Sequence, residues 1–353
     1  MAWLPSWHLA ALLLLLGDSG SLTWAWTPEE TKATPPGTRA AKESGVLGSA
    51  ISSISTAPQG VWGESCDWGK PQVSLVQSGA SRRKAASAPK PWDVRMYFIA
   101  EHHKSGSLML QEALAAIFAG LGEPRSCTQV PENALTTHSV PCEQYPNSTI
   151  QVHSNPSPFA VQSARAMARS QRLDFRAVHA IRKPKDMLVS AYCYSKRLKE
   201  ATDAQFAHFP WEEFLSNGPA HGMMILWNWE MHRQFSHMAD MFLHTTPLET
   251  FTIRYEEVTN SSADFDKVMQ GLLGHFFDGL VSESVLQQLA EDAKVADLHR
   301  HPGSGGEHTN DPDCMATASA ALLSLDPAIL EQLKTWQALL GYPTANWPDP
   351  LID

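Results

Sequence analysis

What most restricts the folds open to this chain is a recurring unit that begins abruptly at Trp92, in which an apolar strand runs through a short polar turn into a helix. Residues 94–100 (Val-Arg-Met-Tyr-Phe-Ile-Ala) form a near-continuous apolar run, a polar turn follows, and residues 108–119 have helical spacing. The unit returns, with residues 149–153 reading as a strand, 158–169 as a helix, 177–181 as a strand and 186–198 as a helix. Residues 251–255 supply another strand, and 222–234, 265–273 and 282–296 have helical patterns. Strands alternating with helices imply a parallel sheet covered by helices on both faces. The expected fold is therefore α/β, a single three-layer domain with a central parallel β-sheet flanked by helices. In open sheets of this class ligands sit beyond the carboxyl ends of the strands, where the unusual residues of this chain lie.

The residues before Trp92 are of another kind. An eight-residue apolar run at 9–16 is far short of the roughly 20 residues that span a bilayer, and Thr23-Trp24-Ala25 offers small residues for cleavage. Residues 1–26 thus read as a signal peptide, with a short type II signal anchor as the competing reading and a means of membrane attachment. From 27 to 91, Pro, Gly, Ser, Ala and Thr fill 38 of 65 positions with no sustained apolar period. Such a composition buries too little surface to offset chain entropy, so the segment reads as a low-complexity stem. Residues 92–353 form the expected folded domain. Two sequons, at Asn147 and Asn260, fit a luminal chain.

The net charge of −10 argues against nucleic acid as a partner, because phosphate-backbone binding needs a basic footprint. Residues 92–353 carry 19 basic and 31 acidic side chains, so an anion bound there must be held by a few placed cations and backbone donors. Five cysteines (Cys66, Cys127, Cys142, Cys193, Cys314) leave at least one unpaired within the chain if the compartment is oxidising, and Cys127 with Cys142 is the pair expected. No metal spacing such as C-x-x-C is present, and no structural zinc is expected.

Two strand ends carry chemistry. The first leads through Glu101-His102-His103-Lys104-Ser105-Gly106-Ser107 straight into a helix. Gly106 lets the backbone come close, the helix N-terminus aims N–H groups at an anion, and Lys104, Ser105 and Ser107 add charge and hydroxyls. The triphosphate signature G-x-x-x-x-G-K-[ST] is absent, which counts against a nucleotide-dependent kinase. The second is Arg182-Lys183-Pro184-Lys185-Asp186-Met187-Leu188-Val189-Ser190, in which Arg182 presents a bidentate fork and Ser190 a further donor. Taken singly, each also reads as an ordinary turn before a helix.

Together the two motifs resemble those of the sulfotransferases that use 3′-phosphoadenosine-5′-phosphosulfate (PAPS). Residues 102–109 (His-His-Lys-Ser-Gly-Ser-Leu-Met) resemble that family's 5′-phosphosulfate loop Y-P-K-S-G-T-[TS]-W, and residues 182–190 its 3′-phosphate element R-[ND]-P-K-D-x-x-[VL]-S. In the family's order follow Arg254-Tyr255-Glu256-Glu257, similar to Y-E-D beside the adenine, and residues 219–222 with Trp227 and Trp229, similar to Y-G-x-x-x-x-H-x-x-x-W-W. Residues 303–308, starting at Gly303, resemble G-x-x-G-D-W of the C-terminal cofactor loop. The likeness implies Lys104, Ser105, Gly106 and Ser107 at the 5′-phosphosulfate, Arg182 and Ser190 at the 3′-phosphate, and Tyr255 in the adenine pocket. Arg300 or His301 would replace the loop's arginine, with Gly303 next to it. The strand end Gln151-Val152-His153-Ser154-Asn155 resembles K-T-H-L-P, which makes His153 the catalytic base, with Lys104 the cation at the leaving phosphate oxygen.

This sequence departs from the pattern at Leu108 and Met109, where a hydroxyl and a tryptophan are usual, at Gln151 in place of lysine, and at Pro302 and Thr309 in place of lysines. The expected activity is sulfuryl transfer from PAPS, without metal, to a hydroxyl or less often an amine. The acceptor would be a glycan, protein or small molecule, met in the secretory pathway, with the Golgi lumen as the expected compartment. A luminal protein of the same fold that binds the nucleotide without turnover is the alternative.

Overall fold

The computed structural model describes residues 89–122, 126–128, 140–142, 144–145, 147–197, 206–302 and 310–348. The expected leader, nearly all of the stem, Cys66 and the segment beginning at Gly303 lie outside these residues.

Six strands form one sheet: β1 (Arg95–Glu101), β2 (Cys127–Thr128), β3 (Val140–Pro141), β4 (Ile150–Ser154), β5 (Asp174–Ile181) and β6 (Thr250–Arg254). Their order across the sheet is β3-β2-β4-β1-β5-β6, and every neighbouring pair is parallel. Around them lie α1 (Ser107–Gly120), α2 (Pro158–Gln171), α3 (Pro184–Ser195), α4 (Trp211–Ser216), α5 (Gly218–Leu226), α6 (His232–His244), α7 (Ser262–Phe277), α8 (Glu283–Ala293), α9 (Pro312–Leu322) and α10 (Pro327–Leu339). The expected α/β architecture is therefore the observed one. The strand expected over 94–100 starts at Arg95, because Pro91–Val94 closes into a single helical turn with Pro91 at its first position.

The two-residue period of the central strands divides the core. Tyr97, Ile99, Ile150, Val152, Val178 and Ala180 face Leu110, Leu114 and Ile117 of α1 together with Phe265, Leu272 and Phe276 of α7. Met96, Phe98, Ala100 and Ala177 face Val161, Ala164 and Ala168 of α2 on the other side. Each large apolar side chain buried in this way contributes about 1.5–3 kcal/mol, so the central strands and α1 are firmly fixed relative to each other. A third cluster joins Leu188 and Val189 of α3 to Met223, Leu226, Phe235, Leu322 and Leu333.

Local signals set the helix starts. Ser157 accepts a hydrogen bond from Ala160 N–H at the head of α2, and Ser261 does the same for Asp264 at the head of α7. Pro184 stands in the first turn of α3, which therefore opens two residues before the expected 186. Residues 222–234 do not form one regular helix. Between α5 and α6 the segment Trp227–Met231 widens into a π-turn, with His232 N–H bonded to the Trp227 carbonyl.

Two disulfides hold peripheral parts to this frame. Cys127–Cys142 closes the expected short loop, with Cα atoms 4.8 Å apart, and ties the paired strands β2 and β3. Cys193–Cys314, Cα atoms 5.8 Å apart, joins α3 to α9.

Candidate active site

The loop from β1 to α1 is built around one carbonyl. The oxygen of His102 accepts from the backbone N–H of Ser105 (2.9 Å), from Ser105 Oγ (2.8 Å) and from Ser107 Oγ (2.9 Å), while His102 N–H donates to Ser105 Oγ (3.0 Å). This knot needs two left-handed residues, Lys104 at φ 66° and Gly106 at φ 97°. Only the second is cheap, and the lysine's conformation is strain of the kind that collects at functional loops. Gly106 caps the 14-residue α1, whose first N–H groups, on Ser107, Leu108 and Met109, precede the first regular helical bond, Leu110 N–H to Gly106. The positive end of the helix dipole lies at these leading N–H groups.

The β5–α3 turn lies against this loop. Arg182 Nη1 donates to the Lys104 carbonyl at 3.2 Å, and its guanidinium sits 4.1 Å over the ring of Tyr255. Tyr255 packs so closely on the loop that a Cβ added to Gly106 would stand 2.8 Å from its Cδ2. Lys104, Gly106, Arg182 and Tyr255 thus come from three separate strand ends to one place. Arg182 is buried, and among the described residues its Nε has no hydrogen-bond partner. A buried guanidinium with an unused donor edge suits a planar or tetrahedral oxyanion. The Lys104 ammonium rests 3.1 Å from the ring centre of Tyr194, which holds the cation at the loop.

His153 stands on β4, in register with Ala100 of β1, its ring stacked 4.5 Å from that of Phe98. Its Nε2 lies 3.3 Å from Gln151 Oε1, and the amide of Gln151 is oriented by donation from its Nε2 to the Ser148 carbonyl at 3.2 Å. An amide oxygen only accepts, so the proton of the neutral imidazole belongs on Nε2 and the lone pair on Nδ1. Burial lowers the pKa of His153 to about 4. Two residues on, Asn155 at φ 54° takes the β1 loop's His103 N–H on its Oδ1 (3.1 Å) and donates to Glu230 of the π-turn (3.4 Å). His153 therefore lies at the same end of the sheet as Lys104.

Ser190 is buried on α3 and is bonded to Asn310. Arg300 is placed differently from the sequence expectation. Its guanidinium forks onto Asp266, both bonds 2.7 Å, and also meets Asp297 at 2.8 Å, so three carboxylate oxygens hold the fork proposed for a phosphate. The side chain of its alternate, His301, is exposed. Gly303 lies outside the described residues. Met109, in place of the usual tryptophan, is part of the core under the sheet. Asn155, Tyr194, Glu230 and Asn310 were not singled out by sequence reasoning. Only Asn155, within the quoted strand-end motif, carried a signal, since asparagine tolerates the left-handed backbone that a turn at a strand end needs.

A parallel α/β sheet whose first strand delivers a lysine-bearing loop to a helix N-terminus, with an arginine from the neighbouring strand beside it, defines an α/β protein of the P-loop-like class. Residues 95–304 match the sulfotransferase domain. The chain belongs to the sulfotransferase family. Comparison with curated proteins gives no match.

Proposed function

We propose that the protein transfers a sulfuryl group from PAPS to a hydroxyl acceptor, with His153 as base and Lys104 as the cation at the leaving oxygen. The observation that carries this reading is the 3.2 Å contact of Arg182 with the Lys104 carbonyl, which sets two anion-gripping strand ends within the span of a single nucleotide. The orphaned Nε of buried Arg182 and the N–H groups leading α1 fit the nucleotide's two phosphate ends. When bound, the nucleotide supplies an activated sulfuryl group on a phosphate leaving group. The chain's own part is to hold and neutralise. The N-terminus of α1 with Ser105, Gly106 and Ser107 would bind the 5′ end, Arg182 and Ser190 the 3′-phosphate, and Tyr255 would pack beside the adenosine. Lys104 would stabilise charge as it develops, and neutral His153 would take the acceptor's proton through Nδ1.

The two disulfides support folding in an oxidising compartment, and we place the enzyme in the secretory pathway, which favours glycan or protein-linked acceptors. The test is transfer of radiolabelled sulfate from PAPS to a panel of glycan, peptide and phenolic acceptors by wild type, His153→Ala and Lys104→Ala. Labelling by wild type with a loss of about 10²-fold or more in each variant is expected. Equal labelling by all three removes these roles. Tight nucleotide binding with no turnover on any acceptor makes the protein a binder.

A further inference from the structure

A serine in a phosphate site is useful only if its hydroxyl proton points at the phosphate, because its lone pairs would repel it. The surroundings of Ser190 settle that direction. Asn310 Nδ2 donates to Ser190 Oγ at 2.8 Å and lies 3.1 Å from the Ser190 carbonyl, while Asn310 Oδ1 accepts from Arg197 Nη2 at 3.3 Å. A guanidinium has donors only, so Arg197 selects the oxygen side of the amide and turns the NH₂ group to Ser190. The amide N–H then takes a lone pair of Oγ, and the serine's own proton is left to be given away.

We infer that Asn310, oriented by Arg197, is a positioning residue that makes Ser190 a hydrogen-bond donor to the nucleotide's 3′-phosphate. The inference rests on the 3′-phosphate reading proposed above for Arg182 and Ser190. The parts are held in place by a second link between the same two segments. Cys193, one turn after Ser190, is bonded to Cys314, four residues after Asn310. Asn310 itself immediately precedes Asp311, whose side chain caps α9. The relay Arg197 to Asn310 to Ser190 thus crosses between two helices whose spacing is fixed covalently.

The test is calorimetric titration of the full chain with 3′-phosphoadenosine 5′-phosphate and with adenosine 5′-phosphate, the ratio of affinities isolating the 3′-phosphate. Wild type is expected to prefer the bisphosphate strongly. Asn310→Ala should cut that preference by about 10-fold, the value of a hydrogen bond to a charged group. Asn310→Asp, of the same shape, should cut it further, since a carboxylate accepts the Ser190 proton and turns a lone pair to the phosphate. Arg197→Met, which removes the orienting cation, should give a partial loss. In a Ser190→Ala background, Asn310→Ala should cost nothing more. A wild type that binds both nucleotides equally overturns the 3′-phosphate reading and this relay with it. A wild type that discriminates, with variants that keep its ratio or weaken both nucleotides alike, overturns the relay alone. Melting curves of each variant establish that it is folded.

Discussion

As the proposed base, His153 is governed by burial rather than by a charged partner. Its ring is stacked on Phe98 and its Nε2 faces an uncharged amide, and burial disfavours the protonated form. With a pKa of about 4 it is neutral throughout the range from pH 5 to 8. The acid limb of kcat/KM against pH should therefore fall near pH 4, and a limb at 6.5, the value of a solvated imidazole, would show that His153 is not the group titrating. Gly106 is the second residue whose identity is dictated. An alanine there would need a left-handed backbone and would press its Cβ into the Tyr255 ring. Gly106→Ala should lower stability by about 1–3 kcal/mol in urea unfolding and weaken nucleotide binding, because the ring that moves is the one under Arg182.

Among the elements, α3 and α9 carry the clearest prediction. The Cys193–Cys314 bridge closes a loop with a sequence separation of 121 residues between a helix on the sheet and one outside it. Cys193→Ser with Cys314→Ser should lower stability by about 2–4 kcal/mol in the absence of reductant and by nothing in its presence. Equal unfolding midpoints for oxidised wild type and the double variant would mean that the bridge does not form. The strands β1, β4, β5 and β6 and the helices after them were legible because each repeats a pattern matched to its period, apolar runs for buried strands and every third or fourth residue for helices. The short pairing of β2 with β3 was not, since two-residue strands leave no period to read. The widening at Trp227–Met231 was equally silent, because an extra residue in a turn changes hydrogen bonding without changing composition. Within the site, Lys104 and Arg182 were legible from their places at strand ends. The pairing of Arg300 with Asp266 was not legible, because the two are 34 residues apart in sequence and nothing local marks the aspartate.

At the scale of the whole molecule, stability should depend on pH through buried histidines. His102 and His179 meet Nε2 to Nε2 at 3.0 Å inside the sheet end, and burial lowers both, His179 to about 3. With His153 at about 4, all three are neutral when folded and free to take a proton near pH 6.5 when unfolded. Their contribution is therefore fully present above pH 6.5 and is lost as pH falls toward 4 and then 3, at up to about 1.4 kcal/mol per pH unit for each histidine. Urea midpoints measured from pH 7.5 to 4.5 should fall steeply below 6.5, and a flat profile would mean that these rings are not buried neutral. The wide turn between α5 and α6 bears on the molecule as a whole in a different way. The turn carries one residue more than an α-helical turn and absorbs it by widening, Glu230 within it meets Asn155, and α6, which follows, seats Phe235 and Met238 in the core. Deleting a single residue there would let the wide turn close to an ordinary α-helical turn and leave α6 in phase, at the cost of the Glu230–Asn155 link. This stretch should accept many substitutions in its exposed letters and the loss of one residue from its count without loss of the fold.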